Sequence, residues 1–67
     1  MRLLDQLTPR QREVAGLLLE GLSNKQMAQR MGISEGCVKV YVYAMCKAAG
    51  VHNRTLLALR IRDDESA

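Results

Sequence analysis

Apolar residues recur at helical spacing in four segments of the chain, and the first begins after a capping signal. Thr8 and Gln11 form a T-x-x-Q capping box, in which each side chain can bond to the other residue's backbone N–H. Pro9 stands where proline suits the first turn of a helix. The apolar positions that follow at helical spacing are Val14, Leu17, Leu18 and Leu22. We predict a helix over residues 9–20, ended by Gly21.

A second capping box begins at Ser23 and predicts a short helix over residues 24–31. Gln26 completes this box three residues after the serine. The apolar residues on one side of the predicted helix are Met27, Ala28 and Met31. Gly32 ends the helix, and Ser34 can cap a third helix soon afterwards. Two short helices joined by a turn that contains glycine are typical of a helix-turn-helix.

The third segment, residues 35–49, contains the run VKVYVY, whose valines and tyrosines favour a β-strand. A strand would place Lys39, Tyr41 and Tyr43 on one face and the valines on the other. A helix would instead align an apolar stripe with the spacing i, i+4, i+7 and i+11, made of Val38, Val42, Met45 and Ala49. Because the stripe continues beyond the run and Ser34 can cap the segment, we predict a helix.

The fourth segment, residues 54–62, has apolar residues on two different sides. Asn53 can cap a helix here. The residues that can join a core on one side are Leu57, Ala58 and Ile61. Leu56 and Leu59 point away from that side, so they need another partner. Residues 63–67 form an acidic tail, of which we expect Asp63, Asp64 and Glu65 to be disordered.

The second apolar side of the last helix predicts contact with another surface. A two-fold pairing would bury Leu56 and Leu59 of both copies at once, which favours a homodimer through this helix. In the alternative, the same leucines rest on the N-terminal segment around Leu3 and Leu4. The predicted fold is therefore all-α, a compact four-helix domain that contains a helix-turn-helix and spans residues 1–67.

The composition excludes several classes of protein. The 67 residues carry a formal net charge of +3, which is compatible with nucleic acid but equally with ordinary surface charge. Cys37, Cys46 and the one histidine, His52, give no metal-ligand spacing, so we expect no metal or other cofactor, and reduced thiols in the cytoplasm. Without a carboxylate pair in register or a phosphate loop, no enzyme and no catalytic residues are predicted. No apolar run approaches the length that spans a membrane.

The side of the third helix opposite its apolar stripe combines cations with an aromatic hydroxyl and a short apolar group. It holds Gly36, Lys39, Val40, Tyr43 and Lys47. Lysine can donate to guanine O6 and N7, and valine can meet a thymine methyl. Gly36 allows close approach of a backbone, and the helix N-terminus favours phosphate. A helix in the major groove of DNA needs such groups. The alternative is a solvated face with one stray valine.

Three motifs occur in the order and at the spacing of LuxR/GerE-type helix-turn-helix domains. They are LTPRQREVAGLLLEGLSNKQMAQRMGIS, VKV and GVHNRT, and the resemblance covers about residues 5–62. Domains of this type are the DNA-binding half of many bacterial response regulators and quorum-sensing receptors. They have four helices, of which the second and third form the helix-turn-helix and the fourth commonly dimerises. The resemblance therefore implies a dimeric transcription regulator that binds double-stranded DNA at specific sequences.

The resemblance also implies roles for individual residues. The family's base-reading positions fall on Lys39, Val40 and Tyr43. Its usual contacts to the DNA backbone fall near Asn24, Lys25, Ser34, Cys37 and Lys47. Its dimerisation helix is the one that holds Leu56 and Leu59. RNA polymerase and a longer regulator are further candidate partners.

The chain departs from the family pattern at several positions. Cys37 stands where threonine is usual, Tyr41 where histidine is frequent, and Ala44 where asparagine is frequent. Ala48 and Ala49 replace a frequent Lys-Leu pair. These changes remove polar and cationic groups from the DNA side, so we expect weaker DNA affinity than is typical or an unusual sequence preference.

Two other interpretations are open at this point. The chain can be a protein-interaction module that pairs through its last helix with a longer LuxR-type regulator and modulates it. It can also be a region like that of a sigma factor, in which GISEG followed by VK occurs, although GVHNRT and the fourth helix argue against this. The chain is either a whole single-domain regulator or a fragment of a longer one.

Overall fold

Five α-helices make up most of residues 3–66, the range that the computed structural model describes. In chain order they are α1 (Leu3–Gln6), α2 (Pro9–Leu19), α3 (Asn24–Met31), α4 (Glu35–Ala49) and α5 (Arg54–Ser66). This range contains no β-strand. The prediction of an all-α fold is confirmed, and α2 to α5 correspond to the four predicted helices.

Polar side chains start these four helices at the predicted positions. Thr8 and Ser23 each form a complete capping box, and in both the glutamine three residues later accepts the cap residue's N–H at 2.9 Å. Ser34 and Asn53 accept the N–H three residues on, at 3.1 and 2.9 Å. Each cap satisfies a donor that the first turn of a helix leaves without a partner. Local sequence therefore determines where the helices begin.

Glycines in the left-handed conformation end α3 and α4. Gly32 has φ 70° and Gly50 has φ 71°, a region that residues with a Cβ rarely adopt. After each glycine, the next N–H donates to the carbonyl five residues back at 3.0 Å, which satisfies one of the free carbonyls of the helix end. These two turns allow α4 to leave α3 sharply and α5 to fold back against α4.

The run VKVYVY lies within α4, so the helix prediction for it is confirmed. Val38 and Met45 are fully buried, Ala49 is buried and Val42 is half-buried, as the predicted stripe requires. A β-branched residue costs a helix a few tenths of a kcal/mol, whereas burial of a valine side chain is worth about 1.5–3 kcal/mol. Packing against the core therefore outweighs the strand preference of the run.

The hydrophobic core lies where α2 to α5 meet. Its fully buried side chains come from all four of these helices and are Val14, Met27, Val38, Met45, Leu57 and Ile61. Leu57 and Ile61 are the residues of the last helix that were predicted to face inward, and Ala58 beside them is half-buried. The core fixes the side of α4 that remains exposed.

The two ends of the described chain differ from the prediction. The short helix α1 was not predicted, and α5 continues to Ser66, so the prediction of disorder for residues 63–65 is wrong. The carboxylate of Asp64 explains both differences, because it accepts the N–H groups of Leu3 at 3.1 Å and Leu4 at 3.0 Å. A contact between residues 60 positions apart leaves no periodic signal in the sequence.

Arg12 holds the same segment from α2, since its Nε donates to the carbonyl of Leu4 at 3.0 Å. Leu3 and Leu7 are buried in the core beside it. Residues 1, 2 and 67, which belong to the predicted domain and to the end of the predicted tail, lie outside the described residues.

Candidate nucleic-acid interface

The helix-turn-helix consists of α3, the turn at residues 32–34, and α4. Met27 and Ala28 of α3 are buried in the same core as Val38 and Met45 of α4. Because those residues hold one side of α4 inward, the positions between them face solvent. The geometry leaves the outward side of α4 free along its length.

This outward side, which we call the reading face, carries the three residues predicted to contact bases. Val40 is 67% exposed and Tyr43 is 63% exposed, and Lys39 between the buried positions is exposed as well. Gly36 and Lys47 are exposed at the two ends of the same face. The structure brings the predicted group together on one surface.

Lys47 and Tyr43 form a pair that sequence reasoning missed. The Lys47 Nζ lies 5.1 Å from the centroid of the Tyr43 ring, within the range of a cation–π interaction. The two residues are one helical turn apart, a spacing that permits this contact without predicting it. The pair limits the freedom of both side chains before any ligand arrives.

The predicted backbone-contact residues surround the reading face, but they do not form one cluster. Lys25, Ser34 and Cys37 are exposed. Ser34 Oγ already accepts the N–H of Cys37, and its hydroxyl hydrogen remains available to donate. Asn24 is half-buried, and its Oδ1 accepts a hydrogen bond from Arg54 at 2.6 Å.

Arg54 is the main residue that the sequence analysis did not identify. Its Nη1 donates to Asn24 Oδ1 and its Nη2 donates to the carbonyl of Leu22 at 2.9 Å. The first residue of α5 is thereby tied to the first residue of α3 and to the turn before it. The signal was present in the motif GVHNRT, which was used only to identify the family and to find the helix cap at Asn53.

A groove runs between α4 and the turn that leads into α5, and we call it the α4–α5 groove. Its lining includes Asn24, Lys39, Tyr43, Lys47, His52 and Arg54. Two lysines and an arginine therefore meet there, and none of the described residues that line the groove is acidic. A positive concave surface beside the reading face is suited to an anionic backbone.

The two cysteines differ in environment. Cys37 is exposed near the start of α4, whereas Cys46 is half-buried on the side of the same helix. Burial raises the pKa of the Cys46 thiol. This favours the neutral thiol, so Cys46 is a poor nucleophile at neutral pH.

Leu56 and Leu59 lie exposed on α5, at 42% and 48% of their surface. The alternative in which these leucines rest on the N-terminal segment is wrong, because both leucines are exposed although α1 packs against α5. Arg60 and Asp63 are exposed next to them at helical spacing. We call Leu56 and Leu59 the leucine patch.

The departures from the family pattern occupy different environments. Cys37 and Ala48 are exposed, Tyr41 and Ala44 are half-buried, and Ala49 is buried in the core. Expected losses of polar contacts to DNA therefore concern Cys37 and Ala48 most directly. Their effect on affinity remains a prediction.

Comparison with known proteins adds to this geometry. The family model described as "Bacterial regulatory proteins, luxR family" matches residues 5–61. The two-component response regulator PprB of Pseudomonas aeruginosa is 46% identical over 59 residues, which cover 88% of this chain and 22% of that protein. The nitrate/nitrite response regulator protein NarL of Escherichia coli K12 is 38% identical over 61 residues, or 91% of this chain and 28% of NarL.

A third relative is the DNA-binding transcriptional activator DevR/DosR of Mycobacterium tuberculosis. It is 45% identical over 56 residues, which cover 84% of this chain and 26% of that protein. The chain thus spans about a quarter of the length of these curated relatives. No helix within residues 3–66 has the length and apolar character needed to cross a membrane.

Proposed function

The chain belongs to the LuxR family of bacterial regulatory proteins and is a DNA-binding helix-turn-helix domain of a transcription regulator, and we propose that α4 reads a specific sequence in the major groove. The observation that carries this proposal is the exposure of Lys39, Val40 and Tyr43 on one face of α4. A valine that is two-thirds exposed between cations gains nothing from the protein's own core. The face that contains this valine and the neighbouring cations is suited to a ligand that carries both anionic and apolar groups.

Lys39, Val40 and Tyr43 each have a partner on a base edge. The Lys39 ammonium donates to guanine O6 or N7, which are acceptors in the major groove. Val40 contacts the methyl group of thymine, and the Tyr43 hydroxyl donates to or accepts from a neighbouring base edge. The Tyr43–Lys47 pair directs the aromatic ring and keeps the Lys47 cation at the edge of the face, where the phosphates run.

Contacts to the DNA backbone position the reading face and carry no sequence information. In this proposal they come from Asn24 and Lys25 at the start of α3, from Ser34 and Cys37 at the start of α4, and from Lys47. The first turns of both helices also offer free N–H groups and the positive end of the helix dipole. Lysines at phosphates release counterions, so affinity falls as salt rises.

We infer further that two copies pair through the leucine patch. Burial of a leucine is worth roughly 1.5–3 kcal/mol, so two exposed leucines are a cost in so small a domain. A two-fold axis would bury four leucines, and it would set two α4 helices about one turn of DNA apart. Such a dimer predicts a nearly palindromic target.

The leucine patch also supports a second candidate function. The same surface can pair with the corresponding helix of a longer LuxR-type regulator and modulate it, because an isologous surface does not distinguish a full-length copy from a single domain. RNA polymerase is a further candidate partner of a DNA-bound dimer. The DNA-binding function requires this domain itself to bind DNA, whereas modulation of a longer regulator does not.

Selection from a pool of random duplex DNA tests the proposal. We expect one enriched, nearly palindromic sequence, and binding to it that weakens steeply as salt increases. A protein-interaction module would enrich no sequence, but would form a heterodimer with a longer regulator in sedimentation. Failure of the wild-type protein to enrich any sequence would contradict the proposed base reading.

A further inference from the structure

We propose that the α4–α5 groove binds one phosphate of the DNA backbone and that Arg54 organises this site. The inference rests on the proposed function, in which α4 lies in the major groove. It adds a contact from a residue of α5, a helix assigned above only to dimerisation. The phosphate belongs to the strand that passes between the end of α4 and the start of α3.

Arg54 is held in one orientation before any DNA is bound. Its two hydrogen bonds, to Leu22 O at 2.9 Å and Asn24 Oδ1 at 2.6 Å, fix the plane of the guanidinium. A guanidinium has five N–H donors, so these bonds leave others available. Arg54 lines the groove, so an N–H group that these bonds leave over can donate to a phosphate oxygen.

Arg54 also determines which end of the Asn24 amide is available. Because a guanidinium only donates, the oxygen of Asn24 must face Arg54. The NH₂ group at the other end of the amide therefore remains as a donor, and Asn24 also lines the groove. One arginine thus contributes its own charge and prepares a neutral donor next to it.

The remaining charges of the groove agree with an anionic occupant. Lys39 and Lys47 line the same space, and His52 lies at its rim. The volume of about 490 Å³ greatly exceeds the roughly 30 Å³ that one water molecule occupies, so a sugar-phosphate unit can enter it. With no acidic residue among the described lining residues, nothing within the groove neutralises these cations.

A scan of neutralised phosphates tests the site directly. The probe is a duplex with a single copy of the selected half-site, in which each phosphate is replaced in turn by an uncharged methylphosphonate. For the wild-type protein we expect several responsive positions, one for each phosphate contact, and at the one bound by Arg54 replacement should weaken binding at least fivefold. For Arg54→Met, the same replacement should weaken binding less than twofold, because the contact is already lost.

The salt dependence separates the two roles of Arg54. Arg54→Met should lower the slope of log affinity against log salt by about 0.9, the value for one phosphate on B-DNA. Asn24→Ala should weaken binding but keep both the slope and a response at the same phosphate, since asparagine carries no charge and Arg54 is still present. A merely structural arginine would not link its effect to one phosphate.

Arg62→Met is the matched control, because it removes the same charge from an exposed position of α5. It should leave the phosphate pattern and the slope unchanged. If Arg54→Met does not fold, as judged by circular dichroism, Arg54→Gln replaces it, and we expect this uncharged variant to lower the slope and to lose the response at that phosphate.

The inference is overturned if a folded Arg54 variant responds to every methylphosphonate as the wild-type protein does. That result would leave the proposed base reading intact. If the wild-type protein binds no DNA sequence specifically, the proposed function is contradicted, and this inference with it.

Discussion

The reading face of α4 and the leucine patch of α5 are both exposed and both contain apolar residues, but their composition differs. On α4, the apolar Val40 stands alone between Lys39 and the Tyr43–Lys47 pair. On α5, Leu56 and Leu59 are adjacent on the helix surface, with no cation between them. Charged groups that alternate with a short apolar group suit base edges and phosphates, whereas contiguous leucines suit another protein surface.

The comparison teaches that exposure of apolar surface does not by itself identify a partner. Val40 is 67% exposed, more than either leucine, yet its neighbours exclude a dry protein interface because their charges would have to be desolvated. On α5 the charged side chains of Arg60 and Asp63 lie beside the two leucines and not between them, so less charge has to be desolvated there. Substitutions on each surface distinguish the two roles.

The largest effect should come from changing Leu56 and Leu59 together to glutamate. Four like charges would then meet at the two-fold axis, so binding to a duplex with two half-sites should fall more than tenfold, and self-association should vanish in sedimentation. Binding to a single half-site should stay within about twofold. Leu56→Met with Leu59→Met is the control, and it should keep both associations. Undiminished self-association of a folded glutamate variant would exclude α5 as the dimer surface.

A smaller effect should come from Lys39→Ala on the reading face. We expect a loss of roughly 1–3 kcal/mol on the selected site and relaxed preference at one base pair. Lys25→Ala is the comparison, since a phosphate contact should weaken binding to all sequences about equally. Titration of both variants against the selected duplex and a scrambled one measures the difference. Equal losses on both duplexes for Lys39→Ala would mean that Lys39 contacts only the backbone.

Asp64→Ala lies outside both surfaces and should act on stability alone. It removes the acceptor for two N–H groups at the start of α1, so the free energy of unfolding should fall by about 1–3 kcal/mol. Chemical denaturation measures this loss. Binding of the folded variant to a single half-site should be unchanged, and a specific loss there would show that the contact between Asp64 and α1 affects the reading face.

The smallest effect concerns Gly36, where stability and binding should move in opposite directions. A Cβ built there meets only Ser34 Oγ, at 3.8 Å, so the fold itself has room for a side chain. Gly36→Ala should raise the free energy of unfolding by up to about 1 kcal/mol and weaken DNA binding a few-fold, because the added methyl group keeps α4 from the backbone. Thermal unfolding and titration give the two values.

Gly16→Ala is the matched control for this pair. Gly16 is also helical and exposed, with no atom within 4 Å of an added Cβ, but it lies on α2. Gly16→Ala should raise the free energy of unfolding by a similar amount without weakening DNA binding. Equal affinity of both alanine variants would mean that Gly36 does not approach the DNA closely.

Local signals explain why much of the fold could be predicted from the sequence. The capping boxes at Thr8 and Ser23 act between residues three positions apart, and Gly32 and Gly50 act through their own φ angles. The stripe of α4 similarly depends on helical spacing alone. Such features are determined by a few residues that are close together in the sequence.

Contacts between distant parts of the chain could not be predicted in this way. Asp64 reaches α1 across 61 and 60 positions, and Arg54 reaches Leu22 and Asn24 across 32 and 30. Each side chain also has an ordinary explanation as a charge on a solvated helix. Their partners are determined only when the core has fixed how the helices pack, so α1, the end of α5 and the α4–α5 groove appeared first in the structure.

The most direct test of the account is the energetic coupling between Lys39 and one guanine of the selected half-site. Each guanine is replaced in turn by 7-deazaguanine, which lacks the N7 acceptor. The unmodified duplex and each modified duplex are titrated with the wild-type protein and with Lys39→Ala. We predict that one replacement weakens DNA binding by the wild-type protein by about 1–3 kcal/mol and hardly changes DNA binding by the variant. Losses that simply add at every guanine would contradict recognition of a guanine N7 by Lys39.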